Sequence, residues 1–370
     1  MSFINIELDK DSHTYAAGDK VYGKVVVYKK RRPKKVKCIM VQFEGGAVVS
    51  IIDHLEERPV TSIECCLNTS ICIYGEENAA LNVVRIRPGR NEYTFEYQLP
   101  RGLPSTFKGK HGSVSYQVKA VIWKSSSVYA TTHVPLFING LFDLNNDPGA
   151  RKCVEVRREN KLWSMCMCHN GKVKLYFSLP KQGYVASEVV PFTVEISNFT
   201  FNHLRLVKIS LIQVAFYVIE GKQRKSQAKI ILETKGPEIS PGKVQIWKGE
   251  SEEDSFRIPE NILPTKLCTC SIIQIHYQLQ ITVKESNHKS NRDKAIVEAF
   301  LPLTIGTIPL EDYLIPAARP SVSPPPSPYA DFAFVDDDIE EEKPSKDART
   351  SVTIENFPPS YHEITKEYFI

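Results

Sequence analysis

One stretch of this chain occurs twice, and that repeat constrains its folding more than any other feature. The first copy runs from Tyr93 to Trp123 and the second from Ser255 to Lys284. In each, a short apolar run ends at a proline, at Leu99-Pro100 and again at Ile258-Pro259. A second pair follows within a few residues, Leu103-Pro104 and Leu263-Pro264, and then a run carrying Tyr116-Gln117-Val118 or Tyr277-Gln278-Leu279. These landmarks recur at separations of 159, 160 and 161 residues. Register kept this closely marks a duplicated structural unit.

Each copy has the period of a strand. Tyr93, Phe95, Tyr97 and Leu99 alternate with Thr94, Glu96 and Gln98, which puts the large apolar groups on one face. Proline cannot donate to a sheet ladder, so the strand stops at Pro100 and the chain turns. Val114, Tyr116, Val118, Ala120 and Ile122 then alternate with smaller or polar residues, as do Ile273, Ile275, Tyr277, Leu279, Ile281 and Val283 in the second copy. Two one-sided strands joined at a proline corner predict a β-sandwich, and two copies predict two of them. The 370 residues are enough for two full cores.

The remaining segments read as strands and turns. Phe3–Leu8 and Val21–Val27 are predicted strands around a turn at Ala17-Gly18-Asp19. Cys38–Glu44 is another, ending at Gly45-Gly46, and Ile63–Asn68 and Asn82–Ile86 are weaker ones. Val173–Leu179 opens the second sandwich, with a turn at Gly183-Tyr184. Phe192–Ile196, Val207–Ile219, Lys225–Glu233 and Glu298–Ile305 follow as strands, with Pro237–Asp254 as a loop. No helix-period segment exceeds two turns. The predicted domains are therefore 1–145, a linker over 146–170, 171–310, and a tail over 311–370. In the tail, the proline-rich run Arg319–Tyr329 and the acidic run Asp336–Glu342 predict disorder.

Composition narrows the setting. No apolar run is long enough to span a membrane, and the acidic residue at Glu7 does not suit a secretory signal. Nine cysteines, an odd number, suit reduced thiols and a cytoplasmic location, where the Asn68 and Asn198 sequons would go unused. The net charge is +4, but from Ala317 onward there are 5 Lys+Arg against 11 Asp+Glu. A basic body with an acidic tail favours anionic partners such as phosphorylated segments or anionic lipid, and nucleic acid is not among the expected partners.

The motif with the clearest chemistry is Phe357-Pro358-Pro359-Ser360-Tyr361. Pro-Pro-x-Tyr presents a preformed polyproline turn to an aromatic groove, and Tyr361 fills a second pocket, so Pro358, Pro359 and Tyr361 predict WW-domain binding. A related run, Pro325-Pro326-Ser327-Pro328-Tyr329, has an extra residue and misses the spacing. The basic run Lys29, Lys30, Arg31, Arg32, Lys34 and Lys35, broken by Pro33, has three readings: a solvated hairpin tip, a phosphate or anionic-lipid contact, or a nuclear import signal. Cys166 and Cys168, with Cys268 and Cys270, form two Cys-x-Cys pairs; they are candidate zinc ligands, but they lack the two-residue spacer of structural sites, so no metal and no cofactor are expected. Tyr329–Phe332 and Tyr361–Ile364 fit a degenerate sorting pattern, and Phe332–Val335 a degenerate autophagy-receptor pattern. No nucleophile elbow, phosphate loop, dinucleotide fingerprint or zinc-protease motif is present.

Taken together, Gly18-x-x-Val21-x-Gly23-x-Val25, the two Leu-Pro pairs, Ser113–Tyr116 and Asp143-Leu144-Asn145 resemble an arrestin N-domain. Gly171-x-Val173, Gly183-Tyr184, Ile196-Ser197-Asn198 and Ile305–Leu310 resemble its C-domain. With its tail the chain is most similar to the alpha-arrestins. That resemblance implies two tandem immunoglobulin-like β-sandwich domains, all-β, followed by a disordered proline-rich acidic tail, and no enzymatic activity. It implies an adaptor, peripheral at plasma membrane and endosomes, whose sandwiches recognise cytosolic segments of transmembrane cargo. Its tail would recruit a WW-domain HECT-type ubiquitin ligase, and ubiquitination would drive endocytosis and sorting. A retromer-like sorting scaffold without a ligase, or a metal- or redox-linked regulator using the cysteine pairs, are the alternatives. One alpha-arrestin binds thioredoxin through a cysteine in the loop before the second repeat copy; here that loop carries Trp247 and no cysteine, so the partnership does not carry over.

Overall fold

The computed structural model describes residues 2–52, 58–76, 83–124, 127–163, 169–219, 224–249, 255–265, 267, 270–285 and 295–311. The first sandwich comprises β1 (Ser2–Leu8), β2 (Thr14–Ala16), β3 (Lys20–Lys29), β4 (Lys34–Val36), β5 (Cys38–Ile52), β6 (Pro59–Gly75), β7 (Val84–Ile86), β8 (Gly89–Gln98), β9 (Phe107–Lys108), β10 (Gly112–Lys124) and β11 (Ser127–Asn139). The second comprises β12 (Val154–Trp163), β13 (His169–Leu179), β14 (Gly183–Val185), β15 (Val189–Val190), β16 (Thr193–Thr200), β17 (Leu204–Val218), β18 (Arg224–Lys235), β19 (Val244–Lys248), β20 (Phe256–Arg257), β21 (Ile273–Glu285) and β22 (Val297–Gly306). A single 3-10 turn, Leu144–Asn146, is the only helical element among the described residues. Asp143 caps it, accepting from Asn145 N at 2.9 Å.

In the first sandwich β1-β3-β8 faces β2-β11-β10-β5-β6; in the second β12-β13-β16-β19 faces β14-β22-β21-β17-β18. The period-two reading of the repeat is what fills the two cores. Val114, Tyr116, Val118, Ala120 and Ile122 are buried on β10, and all six alternating residues from Ile273 to Val283 are buried on β21. The proline corner carries the chain from one sheet to the other, from β8 to β10. Between the sheets Phe43 stacks on Tyr97 at 4.3 Å and meets Phe95 edge-on at 6.0 Å. In the second sandwich Phe192 meets Trp247 edge-on at 4.9 Å.

The duplication extends beyond the landmarks that define it. After each second Leu-Pro a threonine brackets the last long strand of its sandwich. Thr106 N donates to Ile138 O at 2.8 Å while Ile138 N donates to Thr106 Oγ1 at 2.8 Å. Thr265 N donates to Ile305 O at 2.8 Å while Ile305 N donates to Thr265 Oγ1 at 2.7 Å. In each sandwich a short parallel strand places a buried tyrosine beside that same strand, Tyr15 against Ile138 and Tyr184 against Ile305. A lysine ammonium sits over each ring, Lys10 at 4.5 Å and Lys181 at 4.8 Å from the centroid. Each lysine pairs with the acid that closes the next turn, Lys10 with Asp19 at 3.2 Å and Lys181 with Glu188 at 2.5 Å.

Five segments depart from the sequence reading. β5 does not stop at Gly45-Gly46 but runs on to Ile52 through a register shift between the two glycines. Residues 146–170 are not simply a linker, because β12 pairs with β13 as part of the second sandwich, Val154 opposite Leu179 and Val156 opposite Phe177. Its alternation is hidden by charge, since Glu155, Arg157, Arg158 and Glu159 interleave with the two valines. β11 and β19 were not anticipated: β11 carries Pro135 inside a strand, and β19 lies within the expected loop Pro237–Asp254, pairing Val194 with Trp247. Gly183-Tyr184 begins the parallel strand β14 rather than a turn.

Candidate functional site

The basic run occupies the exit of β3. Lys29 ends that strand opposite Gly89, Lys30–Pro33 form an exposed loop, and Lys34 and Lys35 open β4. The short pairing of β4 with β7 places Lys35 opposite Arg85, and Arg87 follows on the same short segment. These two arginines therefore belong to the patch although some fifty residues separate them from it in sequence. The turn that holds them is fastened by Asn91, whose Nδ2 donates to Arg87 O at 2.9 Å and to Gly89 O at 3.2 Å.

Charge compensation separates this patch from its neighbours. On the β1-β3-β8 sheet Lys24 lies 3.1 Å from Glu7 and 3.4 Å from Glu92, and Arg90 lies 2.7 Å from Glu92. That quartet neutralises itself, and Arg90 and Lys24 hold the Glu92 carboxyl below the usual range. Among the described residues no ion pair involves Lys29, Lys30, Arg31, Arg32, Lys34, Lys35, Arg85 or Arg87. Lys34, half-buried, lays its ammonium 4.8 Å from the Tyr129 ring centroid, which fixes one cation and leaves the loop cations in water. An uncompensated cluster of lysine and arginine is an electrostatic site for phosphate or carboxylate groups.

The two sandwiches meet through polar contacts as well as rings. One Glu64 carboxylate oxygen accepts from Ser271 N at 2.8 Å, Ser271 Oγ at 2.9 Å and Ile272 N at 3.2 Å. Gln227 Oε1 accepts from Lys110 N at 2.9 Å and from Tyr217 Oη at 3.1 Å, and His111 stands edge-on to Tyr217 at 5.5 Å. Burial, then Lys110 and Lys225, hold the His111 imidazole below its ordinary pKa. On the connecting segment Phe142 N donates to Thr307 Oγ1 at 2.8 Å and Thr307 N donates to Phe142 O at 2.8 Å.

Of the cysteine candidates, Cys166, Cys168 and Cys268 lie outside the described residues, as do Pro358, Pro359 and Tyr361, the sorting-type tetrapeptides and Phe332–Val335. Cys270 is buried, and burial pushes its thiol up to about 11. No set of three His, Cys, Asp or Glu among the described residues is placed to hold a metal ion, and no described helix is long and apolar enough to cross a membrane.

Two β-sandwiches in tandem, fastened to each other, carry an open basic loop on the first. Residues 4–145 match the family "Arrestin (or S-antigen), N-terminal domain", and residues 169–310 match "Arrestin (or S-antigen), C-terminal domain". The chain is 26% identical over 314 residues to arrestin domain-containing protein 4 of Mus musculus, covering 82% of this chain and 71% of that one. It is 24% identical over 333 residues to arrestin domain-containing protein 17 of Caenorhabditis elegans, covering 86% and 73%. It is 27% identical over 295 residues to thioredoxin-interacting protein of Homo sapiens, covering 79% and 71%. The chain belongs to the arrestin family, in its arrestin-domain-containing or alpha-arrestin branch. That membership supports an adaptor role, and no catalytic family is indicated.

Proposed function

We propose that the protein is a non-enzymatic trafficking adaptor. Its arrestin sandwiches take up cytosolic segments of transmembrane cargo, and its tail recruits a WW-domain HECT-type ubiquitin ligase through Pro358, Pro359 and Tyr361. Ubiquitin on the cargo then directs endocytosis and sorting, which places the protein in the cytoplasm and peripherally at plasma membrane and endosomes. The observation that carries this reading is the combination of a tandem arrestin body over residues 4–310 with a Pro-Pro-x-Tyr sequence at Pro358. The chemistry belongs to the ligase; this chain supplies proximity.

Within that role the open cations at Lys29–Lys35, joined by Arg85 and Arg87, serve phosphorylated cargo tails or anionic lipid, because arginine forks match phosphate oxygens. The lack of ion pairs in this patch among the described residues, beside the self-neutralised quartet at Lys24 and Arg90, supports that use.

A tail peptide spanning Glu355–Phe369, tested against a panel of WW domains with Tyr361→Ala as control, decides the ligase arm. Micromolar binding abolished by the substitution supports it. No binding to any WW domain leaves an arrestin-fold scaffold without ligase recruitment.

A further inference from the structure

We propose that the open edge of the first sandwich, β6, pairs with β6 of a second copy of this chain, so that two chains continue one sheet across a two-fold axis. β6 is 17 residues long, lies at the end of its sheet, and among the described residues pairs with β5 alone. An edge strand offers a row of backbone donors and acceptors to any strand that approaches, and proteins blunt such edges with charge, proline or β-bulges; β6 has bulges at Cys66 and Ile73, which leave the stretch between them regular. The two long edges of the second sandwich are blunted in this way. β12 carries Glu155, Arg157, Arg158, Glu159 and Lys161; β18 carries Arg224, Lys225, Lys229, Glu233 and Lys235. β6 carries one charge, Glu64, whose carboxylate is already engaged by Ser271 and Ile272, and its proline is the first residue of the strand.

Both faces of β6 are prepared for a neighbour. The outward row, Thr61, Ile63, Cys65, Asn68, Ser70 and Cys72, is uncharged and exposed, with Ile63 at 75%. The inward apolar residues Val60, Ile71, Ile73 and Tyr74 pack on the core but remain only partly buried, and an added strand would cover them. From Leu67 to Cys72 the pairing with β5 is regular, between two register shifts, which leaves a straight segment for docking.

The occupant follows from charge. A two-fold antiparallel pairing centred on Ser70 sets Ser70 against its own copy and Asn68 against Cys72, so the straight segment carries no like-charge contact. The same operation on β18 would set a net-positive row against itself. β6 is thus the long edge on which a second copy meets least repulsion. One consequence rests on the function proposed above: a pair of chains carries two Pro-Pro-x-Tyr motifs where each chain has one at the required spacing, and a tandem WW ligase would bind the pair with avidity. The pairing itself does not depend on that reading.

Sedimentation velocity of the full chain over the micromolar range tests it. The wild type is expected to show a concentration-dependent dimer. Ser70→Lys and Ser70→Glu, exposed positions on the straight segment, should each weaken dimerisation about ten-fold, and an equal mixture of the two should restore it. A substitution that merely damaged the fold would not be rescued by mixing. A wild type that stays monomeric throughout, or variants that dimerise like the wild type, overturns the proposal; so does a monomer that instead binds an extended uncharged peptide along β6. The variants keep Tyr361, so unchanged binding of single WW domains separates failure of the pairing from failure of the ligase reading.

Discussion

The two sandwiches solve the same problem at the proline corner with different chemistry. In the first, Tyr116 lies opposite Gly45; in the second, Tyr277 lies opposite Gln213. Glycine lets the Tyr116 ring lie against bare backbone, and a Cβ at position 45 would stand 2.0 Å from Tyr116 Cδ1. The Tyr116 hydroxyl then reaches past the corner to donate to Pro104 O at 2.7 Å in a buried bond. Tyr277 has a side chain as its neighbour instead, and Gln213 Nε2 donates to its hydroxyl at 2.6 Å. Burial pushes the Tyr277 hydroxyl pKa well up, so it stays protonated at any physiological pH. The first corner is thus fixed by a close fit against glycine, and the second by a side-chain hydrogen bond. Duplicated units can keep one landmark while changing what holds it.

The sharpest way to break this comparison is Gly45→Val. Strands on both sides of β5 prevent the backbone from yielding, so the cost should be about 3 kcal/mol and confined to the first sandwich. Gln213→Ala, the corresponding change in the second, removes one half-buried amide and should cost about 1 kcal/mol. Urea unfolding of both variants checks the ratio. Equal losses would mean that the glycine fit carries no special weight.

Removing the two hydroxyls gives a smaller version of the same contrast. Tyr116→Phe leaves the buried Pro104 carbonyl without this donor and should cost about 2 kcal/mol, whereas after Tyr277→Phe the half-buried Gln213 amide can turn to water, for about 1 kcal/mol or less. The two should be additive when combined, because the corners lie in separate sandwiches.

How much of this was legible in the sequence depends on which physical signal each element carries. The strands of the repeat announce themselves because their apolar period is two and prolines mark their ends. β12 does not, because Glu155 stands between Val154 and Val156 and Arg157, Arg158 and Glu159 follow, so the run reads as a loop. Gly45-Gly46 reads as a stop, since glycine usually ends a strand, yet here it is a packing site for Tyr116. Thr106 and Thr265 were readable in principle, standing 159 residues apart in register with the flanking prolines. Arg85 and Arg87 were not, because only the pairing of β4 with β7 brings them to the basic loop. The Pro-Pro-x-Tyr motif is the reverse case, legible only as sequence.

Between the sandwiches the comparison can be sharpened at Glu64. Its carboxylate is the single acceptor for two backbone amides and one hydroxyl from the second sandwich. Glu64→Ala should speed hydrogen exchange at the Ser271 and Ile272 amides about ten-fold while the buried β21 core stays protected, because the loss, about 1 kcal/mol, is local. Acceleration spread through β21 would instead mean that the second corner relies on the first sandwich for its stability.

The smallest effect concerns the thiols, which differ by position rather than by sequence context. Cys65, Cys72 and Cys153 are exposed, while Cys38 is buried and Cys270 lies buried in the second corner, where the first corner has the β9 hairpin. Burial raises the Cys270 thiol from 9.0 to about 11, so at neutral pH it holds about a hundred-fold less thiolate than an ordinary cysteine. Alkylation followed by mass spectrometry should therefore modify Cys65, Cys72 and Cys153 first and Cys270 late. The sign of the pH dependence follows from the same shift. Below pH 9 the thiol is protonated in folded and unfolded chains alike and adds no pH dependence; between 9 and about 11 only the unfolded chain ionises, so stability falls as pH rises. Cys270→Ser should flatten that slope. Early labelling of Cys270 at neutral pH would show that the second corner opens far more readily than the glycine-packed first.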